Sequence, residues 1–437
     1  MEFSEPFQVA GPVAYSPDGV LVAAIVDGMR VAVRQAETLR VVRVCECCDL
    51  VQHIEWSGDS KHLLCAQLLR ARVWVFSISA DASSDLVQAP VAKIDEGVCG
   101  LSWARFAPDG AHVLTCSQFN IRLTIWDLAS RHHRYIENPK NPEKALDFDA
   151  EGKLLAVSHR RTFKDYIHLY ATENWTQIAT WEAGTTNLVG LAFAPNGAFL
   201  CAWDGPLYYN VCVYAVPKGE RLMAYSAYED ALAIKSVQWT PNSMLLAIGS
   251  YDQRVRIVNY LTWKVVCELS HLAGAVNTPT VAVYIESRSG ATDSSQYVLG
   301  KVPFSVPEVV ADPDRDASAK FGVGLMEWCP NSDYLATRND NQPTCVYVWM
   351  TKTLSLACVL VHLAPVRAIT WSRTRTQLLI VTDSSRLFTW TPGGAACVTI
   401  PADGFQATGC LTNPCQDSFV VWDRSQAVAG FIDDERC

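Results

Sequence analysis

Residues 234–258 read IKSVQWTPNSMLLAIGSYDQRVRIV, two turns set between three apolar runs. The first turn is the phrase WTPNS from Trp239. Its proline presets φ and its asparagine tolerates positive φ, so the chain reverses there. The apolar residues before and after it, IKSVQ and MLLAIGS, then read as two strands of a hairpin. A second, tighter turn in GSYDQRVRIV, from Gly249 to Val258, leads into a third strand.

The first phrase is one copy of a repeat. It recurs as YSPDG from Tyr15, WSGDS from Trp56, FAPDG from Phe106, FDAEG from Phe148 and FAPNG from Phe193, then as WCPNS from Trp328 and, degraded, WSRTR from Trp371. A fainter ninth copy is LTNPCQDS from Leu411. Intervals between the clear copies run from 41 to 50 residues, except one of 89 between Trp239 and Trp328. About twenty residues after each turn comes the end of a third strand. These ends are Val33, Phe76, Trp126, Tyr170, Tyr214, Asn259, Trp349, Trp390 and Phe431. Two markers that keep step through nine units match the period of the four-stranded WD40 repeat. The expected fold is all-β: a WD40 β-propeller of about nine four-stranded units spanning residues 1–437.

The repeat is degenerate. Only Trp126-Asp127 carries the naming dipeptide at the end of a third strand; Trp203-Asp204 and Trp422-Asp423 fall at the end of a second. Asp27-Gly28 is the dipeptide of a two-residue hairpin. A blade cannot bury both its faces alone, so the ring must close. The last unit runs out of chain after three strands, and EPFQVA before the first turn is a spare strand expected to complete it. The long interval holds a polar insertion at about 271–320, between units six and seven. Its segments ESRSGATDSSQ (286–296) and PEVVADPDRDASAK (307–320) suggest a long loop in preference to a tenth, eroded blade.

Composition narrows the function. Hydrophobic residues make up 49% and charged residues 19%, enough apolar material for a large core. No apolar run approaches a membrane span, and MEFSEPF lacks a secretory pattern. A cytosolic or nuclear protein is the expectation. A net charge of −9 argues against nucleic acid, whose binders present a basic face, and points to protein partners. Most of the sixteen cysteines sit in strand-like runs as small apolar residues. Cys45, Cys47 and Cys48 with His53 lack the paired spacing of a zinc site, so packing at a turn edge is expected, with no metal and no cofactor. The chain contains no G-x-S-x-G, H-E-x-x-H or G-x-x-x-x-G-K-[ST] motif. Its Asp and Glu residues fall mostly in turn phrases, where they bond the backbone. A non-enzymatic protein is expected.

Several phrases exceed a generic repeat: LVQHIEWSGDS (Leu50–Ser60), KIDEG (Lys93–Gly97), KDY (Lys164–Tyr166), SAYE (Ser226–Glu229), IKSVQWTPNS with GSYDQRVRI, LTWK (Leu261–Lys264), YLATRNDNQP (Tyr334–Pro343) and APVRAITW (Ala364–Trp371). In this order, from MEFSEPF to about Trp390, they resemble the WD-repeat protein eight family, the centrosomal WRAP-type proteins. The resemblance implies an adaptor in the cytoplasm and cytoskeleton, at the centrosome or spindle pole. There it would work with a coiled-coil pole-anchoring protein and, in fungi, a minus-end-directed kinesin, to anchor microtubule minus ends and support spindle assembly. The alternative is a generic WD40 scaffold, such as a ubiquitin-ligase substrate receptor or a translation-factor-like propeller. Candidate protein-binding residues are Lys164, Asp165, Tyr166, Tyr225, Tyr228, Glu229, Arg338, Asn339, Asp340 and Asn341. Tyrosine in a polar setting suits an interface, and the Arg338–Asn341 run should lie in a loop, where its side chains either cap their own backbone or meet a partner.

Overall fold

The computed structural model describes residues 1–78, 86–97, 100–271, 275–288, 295–309 and 321–432. Among these the only helices are two single 3₁₀ turns, Leu68–Arg70 and Gln118–Asn120. Among the described residues the strands form nine blades in sequence order, eight of them built on a meander of first to fourth strands, and one small separate sheet in which Ala275–Val276 pairs with Phe304–Ser305. Blade 1 runs Val13–Tyr15, Leu21–Ile25, Arg30–Gln35, Val41–Glu46; blade 6 runs Ile234–Trp239, Leu245–Ser250, Arg254–Asn259, Val265–Ser270. Blades 2, 3, 4 and 5 begin at His53, Leu101, Leu146 and Leu188, and blades 7, 8 and 9 at Val323, Val366 and Gly409. Each of the nine third-strand residues read from the sequence lies in a third strand.

Closure follows from where the apolar side chains meet. One buried cluster joins blade 1 to blade 2 through Ile25, Val33, Ile54, Trp56 and Leu63. Others join 2 to 3, 3 to 4 and so on to 8 to 9. A last one, with Val13, Val22, Val420 and Ala427, joins blade 9 back to blade 1. Sheets that shared no axis could not close this cycle. Blade 9 has three strands of its own, Gly409–Thr412, Ser418–Trp422 and Gln426–Phe431; the N-terminus supplies the fourth in two pieces. Glu2 and Phe3 pair antiparallel with Phe431 and Gly430, and Phe7 and Gln8 with Ala427 and Gln426.

The repeated phrase has two jobs. Within a turn, its hydroxyl and acid replace missing backbone partners: Ser16 Oγ accepts the Leu21 N–H at 2.9 Å and Asp18 Oδ1 that of Val20 at 3.0 Å. Thr240 and Asn242 do the same for Leu245 and Met244. Between blades, the aromatic reaches back to the preceding first strand. Trp56, Trp239 and Trp371 donate their indole N–H to the carbonyls of Ala14, Ala192 and Glu327 at 3.0–3.2 Å. Where the phrase ends in serine, that residue sits at positive φ: Ser60, Ser243 and Ser332. Each hydroxyl accepts a backbone N–H from the previous blade's turn, from Asp18, Asn196 and Asn242 respectively. The inter-blade bond compensates for backbone strain that glycine would avoid.

Two features differ from the sequence reading. The Asp27 turn has three residues, since Val26 N–H bonds to the Arg30 carbonyl and Asp27 Oδ1 accepts from Met29 and Arg30. And the segment expected as a loop within 271–320 carries a hairpin. Ala282–Arg288 pairs parallel with Ser355–Val361, the outer strand of blade 7, and antiparallel with Ser295–Leu299. An outer strand leaves one row of N–H and C=O groups open, and the alternating AVYIE run fills it. Tyr297 fixes the hairpin to the blade 7–8 connection, its hydroxyl 2.7 Å from His362 Nε2, and to blade 8, its ring 5.4 Å from Phe388. Residues 272–274, 289–294 and 310–320 of the segment lie outside the described residues.

Candidate functional site

Second strands end, and third strands begin, on the rim opposite the phrase turns. Fourth strands also end there, so this rim carries the turns between second and third strands and the connections between blades. All ten candidate residues fall on it. The ring does not bring them together: they sit on blade 4, the blade 5–6 connection and blade 7.

On blade 7 the Arg338–Asn341 run is a clamp. Asp340 takes Lys235 of blade 6 at 2.5 Å and Arg338 at 2.6 Å, with its side chain 6% exposed. Lys235 also donates to the Phe321 carbonyl, and Arg338 Nη1 reaches the Val366 carbonyl of blade 8 at 2.5 Å. Asn339, wholly buried, donates to Gln253 Oε1 at 2.7 Å. Asn341 accepts the Gly322 N–H at 2.9 Å. The run therefore spends its polar groups on three neighbouring blades. Asp165 behaves likewise on blade 4: it is buried, and its carboxylate takes Lys140 at 2.7 Å and the Leu188 N–H of blade 5 at 2.6 Å.

Tyr228 lines a recess of about 710 Å³ with Leu207, Tyr208, Tyr209 and Leu232. Tyr228 stacks edge-on against Tyr209 at 4.8 Å and donates its hydroxyl to the Leu232 carbonyl at 2.7 Å; Tyr225 meets the same Tyr209 ring at 5.9 Å. Arg256 lies over both Tyr209 and Tyr228, at 5.4 and 5.6 Å. Burial pushes the Tyr209 phenol up to about 12 and raises those of Tyr225 and Tyr228, so the recess presents neutral hydroxyls. Glu229 is exposed at its mouth.

Lys164 pairs with Glu182 at 2.9 Å in the open. Tyr166 lines a groove of about 1000 Å³ on the side of blade 4 that faces blade 3, with His159, Arg160, Arg161 and His168. The two imidazoles stack at 4.0 Å. Burial, then the neighbouring His168, hold His159 down at about 4, and burial also lowers His168. Both rings are neutral near pH 7.

Sequence reasoning passed over the apolar tips of this rim. Met29, Leu69, Phe119, Phe163 and Leu207 are exposed at the second turns of blades 1 to 5, Phe119 at 86% and Phe163 at 92%. The legible signal was an aromatic where a turn normally carries glycine or asparagine, as in RRTFKDY. On blades 6 to 8 the corresponding turns hold Asp252, Asp340 and Asp383, each in an ion pair. Cys45 and Cys47 are buried among Val31, Val33 and Ile54, and no group of metal-ligating side chains occurs among the described residues.

Comparison with known proteins agrees with this architecture. The family model for the WD domain, G-beta repeat, matches residues 219–259, which hold the fourth strand of blade 5 and the first three of blade 6. WD repeat-containing protein WRAP73 of Mus musculus is 35% identical over 455 aligned positions, covering 99% of this chain and 96% of that protein. The crystal structure of the C-terminal WD40 domain of Sif2 superposes with a TM-score of 0.54 at 9% identity, covering 99% of each chain. That last likeness concerns the fold alone.

Proposed function

Because the chain belongs to the family of WD repeat-containing protein WRAP73, we propose that it is a non-enzymatic adaptor at the centrosome or spindle pole. In this reading it joins a coiled-coil pole-anchoring protein in a complex that tethers microtubule minus ends and supports spindle assembly. The observation that carries it is similarity along 99% of the chain to one relative, at an identity where family members share architecture. A WD40 propeller is a scaffold for protein–protein contacts, and the rim described above supplies exposed aromatic and aliphatic side chains for them. The net charge of −9 suits an adaptor that meets anionic microtubules through partners and not directly.

The test is the position of a fluorescently tagged full chain through the cell cycle, with quantitative proteomics of what it retains from mitotic cells. Enrichment at the poles together with a coiled-coil protein is the expected result. A signal that stays diffuse from interphase through mitosis would overturn the reading.

A further inference from the structure

We propose that the second turn of blade 4 and the groove beneath it dock an acidic protein segment that carries apolar side chains. The inference rests on the scaffold reading and names the chemistry of one partner site.

The turn departs from the other eight. Its flanking strands, Leu154–Arg161 and Lys164–Ala171, are both 8 residues long, whereas those of blade 6 are 6. Pairing continues to Arg161 and Lys164, leaving a two-residue turn. Its residues are Thr162 at φ 48° and Phe163 at φ 64°. Turns of this shape take asparagine, aspartate or glycine; a β-branched residue and a bulky aromatic at positive φ are outliers that the backbone disfavours. The turn's polar bonds are local, Thr162 Oγ1 to the Arg161 carbonyl and Arg160 Nη2 to that of Phe163, and the Phe163 ring gains no packing, being 92% exposed. Blade 3 shares only the exposed phenylalanine at positive φ, Phe119 at φ 67° and 86% exposed, in a longer turn between six-residue strands. Strain retained to present a ring to solvent is the mark of a recognition element.

Charge selects the occupant. On a chain of net charge −9, the turn is flanked by Arg160, Arg161 and Lys164, the last of them already paired with Glu182. Arg161 is exposed and makes no ion pair among the described residues; Arg160 lies 3.6 Å from Asp165, whose carboxylate is already held by Lys140. The groove is lined by Arg160, Arg161, Tyr166 and the stacked imidazoles, with Glu137 as its acidic side chain, so its lining carries two cations to one anion. A segment with carboxylates for the guanidiniums and an aliphatic or aromatic residue against Phe163 satisfies both.

The experiment selects peptides from a displayed random library on the full chain and measures the affinity of those selected. The variants are Arg161→Glu, Phe163→Gly and the double variant Thr162→Asn/Phe163→Gly, with Leu261→Ala on the opposite rim as control. Selected peptides should pair Asp or Glu with large apolar residues. Their affinity should fall at least about tenfold in Arg161→Glu and in both glycine variants, and stay unchanged in the control. The glycine variants should melt no lower than the parent, because glycine at that φ relieves strain; loss of affinity then cannot be ascribed to unfolding. Peptides that are basic, or that bind all variants equally, overturn the site while leaving the scaffold reading standing. Phosphatidylserine vesicles captured through Phe163, with no acidic peptide selected, overturn it in favour of a membrane contact. Diffuse localisation with acidic peptides bound at the turn would leave the site standing and remove the role at the poles.

Discussion

Removing residues 1–10 tests the closure of the ring most directly. The two N-terminal pieces serve different neighbours: Phe3 packs in the cluster between blades 8 and 9, 6.1 Å from Phe419, while Phe7 and Val9 pack in the one between blades 9 and 1. Val9 is 2% exposed and both phenylalanines are partly buried, which gives about 1.5 kcal/mol for each of the three. The backbone bonds Ser4 N–H to Ala429 O and Val9 N–H to Ser425 O, each 2.9 Å, add about 1 kcal/mol together after exchange with water. The deletion should thus cost about 5–6 kcal/mol. With an unfolding entropy of about 2.1 cal/mol/K per residue, a chain this long shifts its Tm by about 1 °C per kcal/mol, so the fall is about 5 °C. The transition should also broaden, because a ring cut open is a linear array whose end blade can fray alone. Calorimetry of the full and shortened chains measures both quantities. A synthetic peptide of residues 1–10 added in trans should restore part of the loss. An unchanged Tm and width would refute the clasp, and with it the argument that the last cluster closes the cycle.

Three further outcomes are expected. Glu327, at the junction of blades 7 and 8, is pushed by burial from 4.5 to about 7. The folded protein then keeps a proton that the unfolded chain releases between those values, so the carboxyl's favourable contribution is present below about pH 4.5 and lost as pH rises through 7. The shift corresponds to about 3 kcal/mol, and partial exposure halves it to about 1–2; Glu327→Gln should raise the Tm by about 1–2 °C at pH 8 and leave it unchanged near pH 4, as a paired set of melting curves will show. Asp340→Ala should cost about 3 kcal/mol by stranding Lys235 and Arg338, lowering the Tm by about 3 °C; a melting curve equal to the parent's would mean the clamp is idle. Ser243→Ala loses the bond to Asn196 and keeps the positive φ, a cost of about 1 kcal/mol, whereas Ser243→Gly loses the bond and the strain together and should come out near zero; equal effects in denaturant titration would refute the trade between them.

The repeat made the architecture readable because each unit states the same physical solution. Aromatic, hydroxyl, turn residue and apolar run were legible at Trp56 or Trp239 since every one acts within a few residues or on the next blade. The clasp was legible by subtraction, from three strands at one end and a spare one at the other. What escaped were features decided at a distance. Trp203 in a second strand looked like a displaced naming dipeptide; it lies across Gly190, where a Cβ would come within 2.0 Å of its ring, a pairing invisible without register. The apolar runs TVAVY near Val281 and YVLGKV near Val298 look like strands, but no turn phrase joins them, and the partner of the first, Ser355–Val361, lies about seventy positions away. The RNDN run was read as a loop whose side chains cap their own backbone or meet a partner; the ion pair with Lys235, some hundred positions away, turns Asp340 inward instead.

The same contrast bears on where partners meet the ring. From blade 6 to blade 8 the rim's acids are matched by Arg256, Lys235, Arg338 and Arg367, so its polar groups are consumed in holding neighbours. From blade 1 to blade 5 the tips are apolar and exposed, and on blades 3 and 4 they sit at positive φ. Folding disfavours both properties, and a glycine or asparagine at either tip would avoid both. An arrangement that costs the isolated chain stability at two adjacent blades is offset only by something outside it. The clamped sector therefore fixes the shape of the ring, and the strained sector is the face it offers to others.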